Sequence, residues 1–145
     1  MYVKANNRGE KQMPTALEDK DAIREVFAQY CFTLDNYRFA DMAALFTEDG
    51  TWDTAFGKAT GREAIAALMK SISKPEGERE RRIHMVSNVV ITLRGDAARV
   101  QSNWEVIQNG PDGPHLSSAG GYEDQMVRQN GGWMFQYRKI DRFIK

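Results

Sequence analysis

The sequence predicts an α+β domain in which helices cover one face of a curved sheet. Helical periodicity is confined to the first half of the chain. From Ile83 onward the pattern turns to strands, and tight turns at Arg94-Gly95-Asp96 and Asn130-Gly131 divide that half into two hairpins. The order helix, helix, strand, helix, then a run of long antiparallel strands fits segregated layers rather than alternating βα units. A length of 145 residues is enough for one domain with its own core.

Residues 1–14 are polar, lack periodicity and end at Pro14, so they read as a flexible N-terminal arm before a single domain over 15–145. Thr15 is placed to cap a first helix, in which Leu17, Ile23, Val26, Phe27, Tyr30 and Leu34 recur at helical spacing up to Asp35. An Asp35-Asn36 corner leads into a second short helix over RFADMAALFTED, closed by Asp49-Gly50. GTWDTAFG reads as a short strand and GREAIAALMKSI as a third helix. KPEGERERR is a mixed charge run, expected to be a solvated loop. Between the two hairpins, Asn109 to Pro114 reads as a loop.

Composition narrows the chemistry. Twenty Lys+Arg balance twenty Asp+Glu, which removes the electrostatic footprint of a nucleic-acid binder. No apolar run approaches the roughly 20 residues that span a bilayer, and no secretory signal precedes the first helix, so no membrane partner and a cytoplasmic location are expected. One cysteine and two histidines are too few soft ligands for a zinc or iron site, although carboxylate-only metal binding stays open. Cys31 lies within the apolar helix with nothing basic placed to activate it, and reads as packing. The expectation is a protein with no metal and no cofactor, whose side chains carry any chemistry.

Acid–base catalysis near neutral pH calls for a histidine, preferably one oriented by a carboxylate. His115 lies in the Gly/Pro-rich stretch PDGPHL and reads as a solvated spectator. His84 starts a strand and, by period-two counting, shares a face with Val86 and Asn88, the face expected to turn toward the helices. Trp104 and Val106 share a face of the next strand. Asp35 ends the first helix, where the dipole disfavours a carboxylate. Either an imidazolium partner compensates, or Asp35 simply starts the Asp-Asn turn.

The segments CFTLDNYRFADMAALFTEDGTWD, GREAI, RRIHMVSNVVI and GGYEDQMVRQNGGWMF together resemble SnoaL-like proteins of the nuclear transport factor 2-like superfamily, which includes scytalone dehydratase, lindane dehydrochlorinase and bile-acid 7α-dehydratase. The resemblance runs from about Leu17 to Ile140. It implies a cone-shaped, curved mixed or antiparallel sheet (cystatin-like), wrapped around a cavity that three helices from the N-terminal half close. It also implies an Asp35–His84 dyad, an active-site Tyr30, a cavity-lining Trp52 and a leaving-group Arg138. The dehydratases' further catalytic group on the next strand has no counterpart in QSNWEVIQ, and the residue preceding the helix-end aspartate of the dehydrochlorinase is Tyr30 rather than Lys. Homodimerisation through the convex sheet face is a further implication.

The reading that follows is a cofactor-independent lyase or isomerase acting on a small apolar, ring-sized molecule. His84 abstracts a proton, Asp35 orients it, Tyr30 and Arg138 stabilise charge on the substrate, and Trp52, Trp104, Val106 and Asn88 line the cavity. Two alternatives stand beside it: a non-catalytic binding or assembly subunit resembling the small subunit of ring-hydroxylating dioxygenases, and a ketosteroid-isomerase-like enzyme with a carboxylate base.

Overall fold

The structure is a computed structural model and describes residues 12–144. The proposed arm therefore lies almost wholly outside the described residues. Thr15 caps α1 (Ala16–Asp35) as expected, in a capping box: its hydroxyl accepts from the Glu18 amide, and the Glu18 carboxylate accepts from the Thr15 amide. Near its start α1 is tied to the far end of the sheet. Arg128 and the Trp133 indole both donate to Asp19, at 2.6 and 3.1 Å, and the Arg128 guanidinium holds the Asp19 carboxyl below the usual carboxylate range.

After the corner comes α2 (Phe39–Ala44), shorter than the sequence suggested, because Phe46 already begins β1 (Phe46–Thr54). Phe39, Met42, Ala43, Leu45 and Phe46 mimic one continuous helical stripe, but Phe46 pairs in register with Phe135 of a distant strand, a tertiary preference that local spacing does not reveal. β1 turns into β2 (Gly57–Thr60), and α3 (Arg62–Ile72) follows. The long strands are β3 (Arg82–Arg94), β4 (Ala97–Gly110), β5 (Gly113–Gln129) and β6 (Gly132–Ile144).

The six strands form one sheet in the order β2-β1-β6-β5-β4-β3, antiparallel throughout except for the parallel β1–β6 pair. This is a mixed α+β architecture of three α-helices and a six-stranded sheet. Asn130 and Gly131 both take positive φ, 53° and 77°, the geometry a two-residue hairpin turn matched to strand twist demands. The expected loop over Asn109–Pro114 is tighter than the sequence suggested. Only Pro111 and Asp112 stand outside strands, so β4 and β5 form a third hairpin, and His115 sits exposed on β5 rather than in a loop.

Register shifts interrupt four of the five strand pairings. Each inserted residue bends its strand and reverses which side chains face the helices. The core lies between the bent sheet and the helices, with Ile23, Phe27, Tyr30, Met42, Phe46, Ile65, Met69, Met126 and Phe135 all at most 2% exposed.

Candidate active site

The last turn of α1 delivers Tyr30, Leu34 and Asp35 to one end of the sheet, beside the start of β3. Asp35 has no basic residue within that turn, so the helix itself leaves the dipole penalty unanswered. β3 answers it. The His84 amide donates to Asp35 Oδ2 at 2.9 Å, and His84 Nδ1 lies 2.6 Å from Asp35 Oδ1. Arg82 Nη2 donates at 3.3 Å to the Leu34 carbonyl, which the Tyr37 amide also reaches at 3.2 Å.

A carboxylate only accepts, so in the neutral imidazole this 2.6 Å contact favours the tautomer with its proton on Nδ1 and its lone pair on Nε2. The paired side chains are only 14% and 12% exposed, which shields their interaction from solvent. His84 lines a cavity of about 350 Å³, at the small end of the ligand-pocket range.

Tyr30, Trp52, Trp104, Val106, Met69 and Tyr122 supply much of the cavity wall. The Trp52 indole donates to the Tyr30 hydroxyl at 2.9 Å, which leaves the Tyr30 proton free for another acceptor. Burial pushes the Tyr30 phenol up to about 12, so it stays a neutral donor. Tyr30 and Asp35 are not bonded to each other: Tyr30 lines the cavity itself, whereas Asp35 stands behind His84 and meets the cavity through it. Trp104 lies across Gly120, its register partner, and donates to the Gly121 and Asp141 carbonyls. A Cβ at Gly120 would sit 1.9 Å from the Asp141 carbonyl oxygen and 2.8 Å from the indole, so only glycine fits.

Two expected site residues lie elsewhere. Asn88 does not line the cavity. β3 carries one extra residue between Ser87 and Val90; Asn88 takes φ 52° within that bulge, is exposed, and donates to Asn103 at 2.9 Å. Past it, Val89, Ile91 and Leu93 pack on the core in place of the even-numbered positions.

Arg138 is 0% exposed and is not part of the cavity wall. It makes a bidentate pair with Asp124, at 2.7 and 2.9 Å, inside a box of Phe27, Tyr30, Tyr122 and Phe135 rings whose centroids lie 3.9–4.6 Å from its guanidinium carbon. Burial opposes its charge, but the Asp124 carboxylate holds the guanidinium protonated. The expected leaving-group arginine is thus a buried charge behind Tyr30 and Tyr122, already neutralised by its own partner.

Among the lining residues that the sequence reading did not assign to the site are Tyr122, Arg82 and Arg142. Tyr122 is both core and wall, and burial raises its phenol well above the ordinary value. Arg82 lay hidden in the charge run, although counting back two from His84 places it on the same face of β3. Cys31 is buried as packing, and burial pushes its thiol up to about 11, away from nucleophilic reactivity. Among the described residues no cluster of three His, Cys, Asp or Glu side chains could hold a metal ion, and no helix is long and apolar enough to cross a membrane.

Comparison with known families places this architecture. The profile of the SnoaL-like domain matches residues 15–139, nearly all of the described chain. The protein belongs to the SnoaL-like domain family. No curated protein matches it. Among solved structures it is similar to an NTF2-like protein with a cystatin-like fold from Novosphingobium aromaticivorans, at 26% identity and TM-score 0.75, covering 86% of this chain and 81% of that one. A candidate scytalone dehydratase from the same organism is 26% identical with TM-score 0.73, over 88% of this chain and 86% of its own. The β subunit of a candidate aromatic-ring-hydroxylating dioxygenase, also from that organism, shares the fold at 20% identity and TM-score 0.73, covering 86% and 89%. The SnoaL-like scaffold thus spans a neighbour described as an enzyme and one described as a subunit.

Proposed function

We propose that this SnoaL-like protein is a cofactor-independent lyase or isomerase in which His84 is the general base. The observation that carries the reading is the His84–Asp35 pair: Nδ1 is engaged by the carboxylate, and the imidazole belongs to the wall of an open cavity. Nε2 would take a proton from a carbon next to an electron-withdrawing group, while Asp35 stabilises the imidazolium that forms. The electron pair left on carbon moves onto the substrate oxygen, which accepts the free Tyr30 proton as a hydrogen bond. In an elimination the pair returns from oxygen to re-form the carbonyl while the enolate pair becomes the new C=C bond and the β C–O bond breaks, and the imidazolium gives its proton to the departing hydroxide as water; in an isomerisation the imidazolium returns the proton to another carbon as the carbonyl re-forms. The lining holds no carboxylate among the described residues, which favours histidine over an acidic base.

The test needs no knowledge of the natural substrate. 2-Tetralone, a bicyclic ketone with acidic C–H bonds, is incubated in D₂O and its deuterium uptake followed by NMR. The protein is expected to accelerate exchange, and His84→Ala to lose about 10²–10⁴ of that rate with its circular dichroism unchanged. Equal rates for the two proteins would end the reading.

The face opposite the helices favours self-association as a second property. Ile83, Met85, Val90, Leu116 and Phe143 are 48–67% exposed there, an apolar surface suited to a homodimer. Sedimentation of Val90→Lys as a monomer, with the parent chain a dimer, is the expected result; a monomeric parent chain would refute it.

A further inference from the structure

The proposed chemistry places an apolar ring in the cavity, yet two cations stand in the wall. Arg82 begins β3 and Arg142 lies near the end of β6; both line the same cavity as His84. Neither forms an ion pair with any described residue, whereas Arg38, Arg128 and Arg138 all do. Arg82 Nε is buried and has no hydrogen-bond partner among the described residues, an unmet donor that destabilises the empty site. The rest of the Arg82 side chain is already placed. Its guanidinium lies 5.0 Å from the Tyr37 ring centroid, and Nη2 is bonded to Leu34, so little side-chain freedom remains to be lost on binding. Gln108, the register partner of Arg82, and Ser118 add neutral polar groups to the same wall. Asp35, at the end of α1, is already engaged by the His84 amide and ring.

We infer that this rim is an anion-binding subsite, with Arg82 and Arg142 receiving a carboxylate carried by the ring-shaped substrate. The inference rests on the ligand-binding reading of the cavity and sharpens it. The substrate is amphipathic, its ring between Trp52 and Trp104 and its acid group at the arginines. Fixing that acid group also fixes which ring carbon is presented to His84.

The probes are 2-naphthoate and its uncharged counterpart 2-naphthamide, with binding read from quenching of tryptophan emission, since Trp52 and Trp104 both line the cavity. The acid is expected to bind about tenfold or more tightly than the amide, as charge-assisted hydrogen bonds outweigh neutral ones. Arg82→Met should bring the two affinities within about twofold by weakening only the acid. Arg142 is exposed, so Arg142→Met leaves the core untouched and should reduce the same preference. His84→Ala should keep it, which separates this subsite from the proton-transfer reading. Equal affinity for acid and amide, binding of neither, or equal weakening of both in the arginine variants would overturn the inference.

Discussion

Arg138 offers the most demanding test of how this site is built. Both it and Asp124 have fully buried side chains, joined by two charge-assisted hydrogen bonds. Arg138→Met keeps much of the volume among the four rings but leaves Asp124 alone. Removing one partner of a buried pair costs about 3–5 kcal/mol, a large share of the roughly 5–15 kcal/mol that holds a domain folded. Burial already raises the Asp124 carboxyl, and the guanidinium is what draws it back down. Without Arg138 the folded-state pKa rises further above its unfolded value. A carboxyl shifted upward makes the folded state bind more protons than the unfolded one, so stability is retained at acid pH and lost as pH climbs toward the folded pKa. The deficit of Arg138→Met relative to the parent chain should therefore be largest at pH 7 and shrink toward pH 5, by up to about 1.4 kcal/mol per pH unit. Urea unfolding at both pH values, followed by circular dichroism, measures it. Arg138→Met/Asp124→Leu should recover most of the loss, since an apolar pair of similar volume is often no worse than a buried ion pair. A deficit below about 1 kcal/mol, a deficit that does not vary with pH, or a double variant no more stable than the single one would refute the reasoning.

Four further outcomes are expected. Tyr30→Phe should lower 2-tetralone exchange by about 10²-fold while leaving 2-naphthamide binding intact, which kinetics and fluorescence titration check together. The parent chain should lose stability as pH rises from about 10 toward 12, because the unfolded Tyr30 phenol ionises near its ordinary value while the folded one is pushed up to about 12; Tyr30→Phe should lessen that loss in alkaline unfolding curves. Asp35→Asn should cut exchange by about 10²-fold or more by removing the charge that stabilises the imidazolium, as exchange kinetics followed by NMR would show. Gly120→Ala should destabilise by about 1–3 kcal/mol or more in thermal unfolding and shift the Trp104 emission, because backbone and indole already occupy the Cβ position.

The dyad was legible in the sequence for two separable reasons. The chain has only two histidines, and His115 stands among turn residues, so His84 was the candidate base before any resemblance was weighed. Asp35 needed the resemblance, because its helix-end position is equally that of a turn former; only the tertiary approach of β3 decides between the two. Arg82 was obscured by its neighbours. In KPEGERERR seven of the nine residues are exposed, and the strand begins only at the last, where pairing with Gln108 sets in. Composition describes the run correctly and misses the residue that matters.

Asn88 and Arg138 each lie at or beside a register shift, one on β3 and one on β6. Counting outward from the Asn130-Gly131 turn, Gln129 faces Gly132 and Met126 faces Phe135; at constant register Asp124 would then face Tyr137. The shift between Gln125 and Met126 inserts one residue into β6, so Asp124 faces Arg138 instead, and Arg138 rather than Tyr137 turns into the core. Tyr137 points the other way and bonds Asp53. On β3 the bulge at Asn88 does the reverse, taking an expected wall residue out of the cavity. A bulge has no strong local signature, since its stabilisation comes from the bend it permits across the whole sheet. Alternation predicts the facing of a side chain only as far as the next bulge. In this chain the stretch from Arg82 to Val86 precedes any shift on β3, and there period-two counting holds: Arg82, His84 and Val86 all turn from the outer face carrying Ile83 and Met85. The catalytic histidine proposed here and the arginine beside it are readable because they lie before the bulge.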